Sequence, residues 1–172
     1  MLRSIHKRGM NLLVQIKETD YHHGALTALL VNNGYNIIMV ETHETRRSYK
    51  VAQNSEEFII YSKYSSGPSS KRKNKSFTWF YSFSDSEIDK IKGHMKESRM
   101  SQVALVSKNA NNIGGELVLL NEKEFLESIG DGWNSENPYI KVMKKKNCQL
   151  RVYGRGISRD EAFIPERSLI EK

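Results

Sequence analysis

EFIIYSKYSS, Glu57–Ser66, is the stretch whose reading decides the fold. Phe58, Ile59 and Ile60 are consecutive apolar residues, the pattern of a strand buried on both faces. The run ends in a lysine, Lys63, ahead of Gly67–Ser76. That segment holds Gly, Pro, Ser and four basic residues, which mark an exposed loop. Upstream, Tyr35–Val40 is a continuous apolar run and reads as another buried strand. Glu41–Arg47 can extend it at an edge, Ser48–Ala52 is short and strand-like, and Gln53–Ser55 is a turn. Downstream, Thr78–Phe83 (TWFYSF) is an aromatic strand. Its alternation sets Trp79, Tyr81 and Phe83 on one face and Phe80 on the other, one of the two faces being core against the second helix; beside the basic loop the same aromatics could instead stack unpaired bases.

Helices follow from spacing and caps. Leu26, Leu29 and Leu30 recur at helical spacing within Tyr21–Asn33, and Gly34 stands where a helix-terminating glycine belongs. Ser84 and Glu87 form a capping box ahead of Ile88, Ile91 and Met95, so Asp85–Glu97 is a helix. Asn121 and Glu124 do the same for Glu122–Ile129. Gln102–Ser107 and Glu116–Leu120 are apolar strands. Tyr139–Met143 and Gln149–Tyr153 make a hairpin around Lys144–Cys148, after a loop at Asp131–Pro138. Leu12–Ile16 has a short alternating pattern that fits a strand or a helix start. The fold class expected is α/β: a mixed central sheet in one layer with flanking helices and a C-terminal hairpin. One domain spans 1–153, and 154–172 is a basic tail, partly disordered.

Composition narrows the function classes. At 172 residues with 38% hydrophobic and 27% charged residues, the chain can bury a core without covalent staples. Its single cysteine, Cys148, excludes an internal disulfide framework and a cysteine-rich zinc site. No stretch reaches the roughly 20 apolar residues of a membrane span, and the basic start is no convincing signal peptide. The expectation is a cytoplasmic protein of a bacterium, phage or mobile element, with no membrane partner. The net charge is +7, and it is clustered. Lys63–Lys75 holds Lys63, Lys71, Arg72, Lys73 and Lys75 with no acid. Lys141–Arg159 holds Lys141, Lys144, Lys145, Lys146, Arg151, Arg155 and Arg159, again with no acid. Clusters of this kind suit a polyanion, because neutralising each phosphate releases counterions. An acidic protein surface is the other partner that fits, and a homodimer is compatible.

The element order resembles the PD-(D/E)xK nuclease superfamily, the restriction-endonuclease-like fold shared with Holliday-junction resolvases, from about Tyr21 to Ile129. The resemblance implies a helix, then an antiparallel meander carrying a catalytic Asp and a (D/E)-x-K, then a helix and a further strand. It places the lysine at Lys63. The acid two residues earlier falls on Tyr61, the upstream Asp falls near Ser48–Lys50, and a first-helix Glu falls near His22 or His23. Only the lysine survives. Carboxylates supply the hard oxygen ligands Mg²⁺ needs, and the metal would activate water. The leading expectation is therefore a nucleic-acid-binding, non-catalytic domain without cofactor. Lys63, Lys71, Arg72, Lys73 and Lys75 would form one phosphate-contact zone, and Lys144, Lys145, Lys146 and Arg151 a second. The runner-up is an active Mg²⁺-dependent DNA or RNA endonuclease with relocated carboxylates among Glu41, Glu44 and Glu57. There Glu41 and Glu57 would face each other across the hairpin beside Lys63. A third reading is a phage or mobile-element regulator that binds a host protein.

Other constellations are weaker. His22 and His23 are adjacent on a helix and so do not share a face, and His43 sits between Thr42 and Glu44. A zinc site from these histidines, with His6 and His94, has no favourable spacing. Asn109–Gly115 (NANNIGG) lacks the Gly-Lys-Ser/Thr ending of a phosphate-binding loop. No Ser-His-Asp arrangement has informative spacing.

Overall fold

The first helix, α1 (Glu18–Asn32), buries Leu26 and Leu30 and ends at Asn33, and Gly34 follows with φ +82°. These features belong to a computed structural model that describes residues 16–72, 76–109, 114–130 and 137–166. Most of Leu12–Ile16, together with His6, Lys73 and Lys75, lies outside the described residues. After α1 come β1 (Asn36–Thr42), β2 (Arg46–Gln53), β3 (Glu56–Ser65), β4 (Ser70–Arg72) and β5 (Ser76–Ser82). There follow α2 (Asp85–Glu97), β6 (Gln102–Lys108), β7 (Gly115–Leu120), α3 (Glu122–Ile129), β8 (Tyr139–Lys144) and β9 (Arg151–Gly154).

The strands form two sheets, of order β1-β2-β3-β6-β7 and β4-β5-β8-β9. The fold is α/β with a mixed central sheet and flanking helices, as the patterning predicts. The single layer is corrected to two. β5 leaves the central sheet because it pairs with β4 and β8 instead, with Trp79 opposite Val142 and Tyr81 opposite Ile140. In the central sheet β1, β2 and β3 are an antiparallel meander, and β3 runs parallel to β6. The β2–β3 turn has only Asn54 and Ser55 between paired residues, both at positive φ, the backbone of a tight hairpin turn. β6 is buried along nearly its whole length, as the central strand of such a sheet must be.

Two apolar clusters hold the layers together. On one face of the central sheet, α1 packs Leu26 and Leu30 against Tyr49, Val51, Ile60, Tyr64 and Val106. On the other face Tyr61, Val103 and Leu105 meet the second sheet's Trp79, Tyr81, Ile140 and Val142, with Ile88 and Ile91 of α2 and Phe125 of α3. The capping boxes of α2 and α3 both form at the residues the sequence nominates.

Three local expectations change. The apolar run at Tyr35–Val40 is no buried strand: Ile38, Met39 and Val40 are each more than half exposed. β1 is a sheet edge, and continuous hydrophobicity does not distinguish an edge from a centre. The loop Gly67–Ser76 contains β4, whose backbone pairs with β5 through Lys71 and Phe77. Residues 155–166 are folded rather than a loose tail. Phe163 bridges Val152, and the Gly156 amide donates to Ser128 O at 3.0 Å. The Glu166 amide donates to the Glu124 carboxylate at 2.7 Å. A Cβ at Gly156 would stand 2.2 Å from Glu127 O, so only glycine permits this approach to the end of α3.

Candidate nucleic-acid interface

β3 alternates its side chains, so Tyr61 and Lys63 share the face on which α2 docks. The nearest carboxylate is Glu87, in the first turn of α2. Its Oε1 accepts from Lys63 Nζ at 2.5 Å and from the Tyr61 hydroxyl at 2.6 Å, and Arg46 Nη1 lies 3.5 Å away. Its Oε2 accepts from the Ser84 amide at 2.9 Å and from Ser84 Oγ at 3.2 Å. The strand register sets Arg46 directly opposite Lys63, and like charges so placed repel. Glu87 lies between both cations and offsets that repulsion. Burial alone would push the Glu87 carboxyl up. The hydrogen bonds from Lys63, Tyr61 and Ser84 outweigh it and bring the carboxyl down to about 2. Burial lowers the Lys63 ammonium and the Glu87 contact partly restores it. The Lys63 side chain is 12% exposed, and its ammonium lies over the Phe83 ring, 4.8 Å from the centroid.

Two other acids named from the sequence lie apart. Glu41 is on the Lys63 face of the sheet, in the row Glu41–Ser48–Tyr61. Both its oxygens accept from Lys90, at 2.7 and 2.6 Å. Glu57 is six residues from Lys63 along β3, about 20 Å away, and pairs with Lys50 at 2.6 Å. The expectation that Glu41 and Glu57 face one another is corrected. β2 separates their strands, and they oppose Ser48 and Ala52 at its two ends. Glu44 follows His43 in the β1–β2 connection. Among the described residues no three His, Cys, Asp or Glu side chains converge as a metal site requires. The one carboxylate at Lys63 already serves Lys63, Arg46, Tyr61 and Ser84, so the residues present do not fit a Mg²⁺ ion there.

The opposite face of the sheet carries a second polar group beneath α1. His23 is fully buried, with Nδ1 3.1 Å from Ser62 Oγ. Burial first, and Arg47 second, bring its imidazole down to about 4. His22 stacks on Tyr64 at 5.0 Å. Glu18 accepts from the Tyr64 hydroxyl and from Lys108, and Asp20 pairs with Arg47. Here too the cations are matched by acids.

Parts of both clusters meet on the second sheet. β4 brings in Lys71 and Arg72, and β8 with its turn brings in Lys141, Lys144, Lys145 and Lys146. Arg151 opens β9. Lys144 pairs with Glu116. Lys145 and Lys146 are exposed in the turn. Arg151 Nη1 donates to the Ala162 carbonyl at 3.2 Å, and Arg159 Nη2 lies 3.6 Å from Met143 Sδ. A pocket of about 520 Å³ opens between the hairpin turn and residues 159–164, lined by Lys145, Arg151, Arg159 and one acid, Asp160.

Sequence reasoning recognises Glu87 as a cap, but its contact with Lys63 depends on how α2 docks. It also omits Lys141, Tyr139 and Tyr153 from the interface. Their signal is present as the alternation of Tyr139 and Lys141 with the buried Ile140 and Val142. No helix of the described residues is long and apolar enough to cross a membrane. Comparison of the chain with protein families, curated proteins and solved structures finds no match.

Proposed function

We propose that this protein binds nucleic acid through its second sheet, on a restriction-endonuclease-like framework in which Lys63 serves structure rather than hydrolysis. One observation carries the reading. The two acid-free basic stretches, far apart in sequence, supply strands to the same four-stranded sheet. A cationic surface of this kind gains affinity for phosphate backbones by counterion release. The framework is supported by α1, the antiparallel meander, α2 and parallel β6 following in the order the resemblance implies, with β4 and β5 of the second sheet standing ahead of α2. The non-catalytic reading is supported by Glu87, whose carboxylate is occupied by Lys63, Arg46, Tyr61 and Ser84.

The test is binding measured against salt. Fluorescence anisotropy with a labelled DNA duplex should show log affinity falling linearly with log salt. Replacing Lys145, Lys146 and Arg151 by Gln should flatten that slope by about 0.9 for each phosphate that is no longer neutralised. Lys63→Met should leave the slope as it was. An unchanged slope in the triple variant, or no binding of either duplex or single strand at low salt, overturns the proposal.

A further inference from the structure

The outer face of the second sheet carries a row of side chains that are exposed or half-buried. Phe80, Lys141 and Tyr153 stand opposite one another across β5, β8 and β9. Tyr139 lies beside them, its ring 5.5 Å from that of Phe80 and tilted by 30°. The inward residues of the same strands, Trp79, Tyr81, Ile140, Val142 and Val152, are buried to within 1% of complete. The core is therefore satisfied without the outer rings, and Phe80 remains 42% exposed. The Lys141 ammonium is held among those rings, at 5.0 Å from Tyr139, 5.8 Å from Phe80 and 5.9 Å from Tyr153. Among the described residues it pairs with no carboxylate, and neither does Arg151 or Arg159. One step along the strands, about 7 Å away, the row Met143–Arg151 leads into the 520 Å³ pocket with Lys145 and Arg159.

Flat rings, Phe80 exposed and Tyr139 half-buried, beside cations that pair with no carboxylate among the described residues suit a particular ligand. Aromatic side chains stack on the faces of bases, which a duplex keeps covered and a single strand leaves open. Cations beside the rings take the backbone of the same strand. We propose that this outer face binds single-stranded nucleic acid, stacking unpaired bases on Phe80 and Tyr139 and seating the adjoining phosphate among Lys145, Arg151 and Arg159. The proposal rests on the nucleic-acid reading above and adds to it the strandedness of the ligand and the residues that read it.

Anisotropy titrations with a labelled oligothymidylate, an oligouridylate and a mixed-sequence DNA duplex at matched salt test it. Both single strands should bind more tightly than the duplex. The two arms also report whether the sugar is discriminated. Phe80→Ala with Tyr139→Ala should weaken single-strand binding by about tenfold or more, leaving duplex affinity and the salt slope unchanged. Phe80→Leu with Tyr139→Leu keeps apolar bulk without flat rings and should show the same weakening, with an unaltered circular dichroism spectrum and melting temperature. Arg151→Gln with Arg159→Gln should instead reduce the single-strand salt slope by about 0.7 for each phosphate left unneutralised. Full single-strand affinity in both ring variants overturns this proposal while leaving nucleic-acid binding intact, as does a preference for duplex. Failure of the unaltered protein to bind any of the three at low salt overturns both.

Discussion

Lys63 and Lys141 are both strand lysines beside aromatic rings, yet the fold puts them in opposite situations. Lys63 Nζ lies 2.5 Å from Glu87 and its side chain is 12% exposed. Lys141 Nζ has three rings within 5.9 Å and, among the described residues, no carboxylate. The difference is what docks above each strand. α2 brings Glu87 onto the Lys63 face, whereas on the outer face of β8, among the described residues, no carboxylate reaches Lys141 and Phe80 beside it stays 42% exposed. A cation is available to a ligand only where the fold has not already neutralised its charge. The sharpest way to break this contrast is Glu87→Gln. It removes the counter-charge from Lys63 and from the facing Arg46, and it weakens the cap of α2. Removing one member of a buried pair costs about 3–5 kcal/mol, so the urea midpoint should fall sharply with an unchanged m-value. A loss under about 1 kcal/mol would mean that water already screens the Lys63 site, and the contrast with Lys141 would collapse.

Acid should sharpen the same contrast, because the buried groups titrate abnormally. Glu87 is brought down to about 2 from 4.5, so between those values the unfolded chain binds a proton that the folded chain refuses. Stability is then lost as pH falls from 4.5 towards 2. His23 is brought down to about 4 from 6.5. Its contribution has the same sign in a higher window, present above 6.5 and lost as pH falls towards 4. Each arm is worth up to about 3 kcal/mol. Urea denaturation at a series of pH values should show both. His23→Gln should shrink the upper arm and leave the lower one, with a remainder from His22 and His94, which burial also lowers. An unchanged upper arm in His23→Gln would show that the imidazole is solvated.

Much of the frame was legible because its signals are local. Ser84-x-x-Glu87 and Asn121-x-x-Glu124 set α2 and α3 to the residue, since capping needs only neighbours in sequence. Alternation in TWFYSF put Trp79 and Tyr81 on one face and Phe80 on the other, and packing against the central sheet decides that the first is buried. What the sequence did not disclose depends on docking. Ile38, Met39 and Val40 read as core because apolar runs do not say which strand lies at an edge. β5 read as a member of the central sheet because pairing partners are chosen over long range, here by β8, about 60 residues later. The site divides in the same way. The two basic clusters were visible as charge, but their meeting in one sheet, and the capture of Lys63 by Glu87, required the third dimension.

The mildest probe concerns Glu57, the acid that a relocated catalytic centre would recruit. It pairs with Lys50 at 2.6 Å, with the two side chains 58% and 41% exposed. Pairs this accessible contribute about 0–1 kcal/mol, because water competes for both charges and ordering two long chains costs entropy. Glu57→Gln should therefore move the urea midpoint little. At about 20 Å along β3 from Lys63, it should leave the acid arms and the ring-dependent binding untouched. If Mg²⁺ or Mn²⁺ elicited cleavage of DNA or RNA that Glu57→Gln abolished, a carboxylate remote from Lys63 would be at work. The division between a structural lysine on β3 and the proposed ligand face on β8 would then have to be redrawn around the β2–β3 turn. Glu57 lies beside that turn, Lys50 already pairs with it, and the backbone at Asn54 and Ser55 holds positive φ.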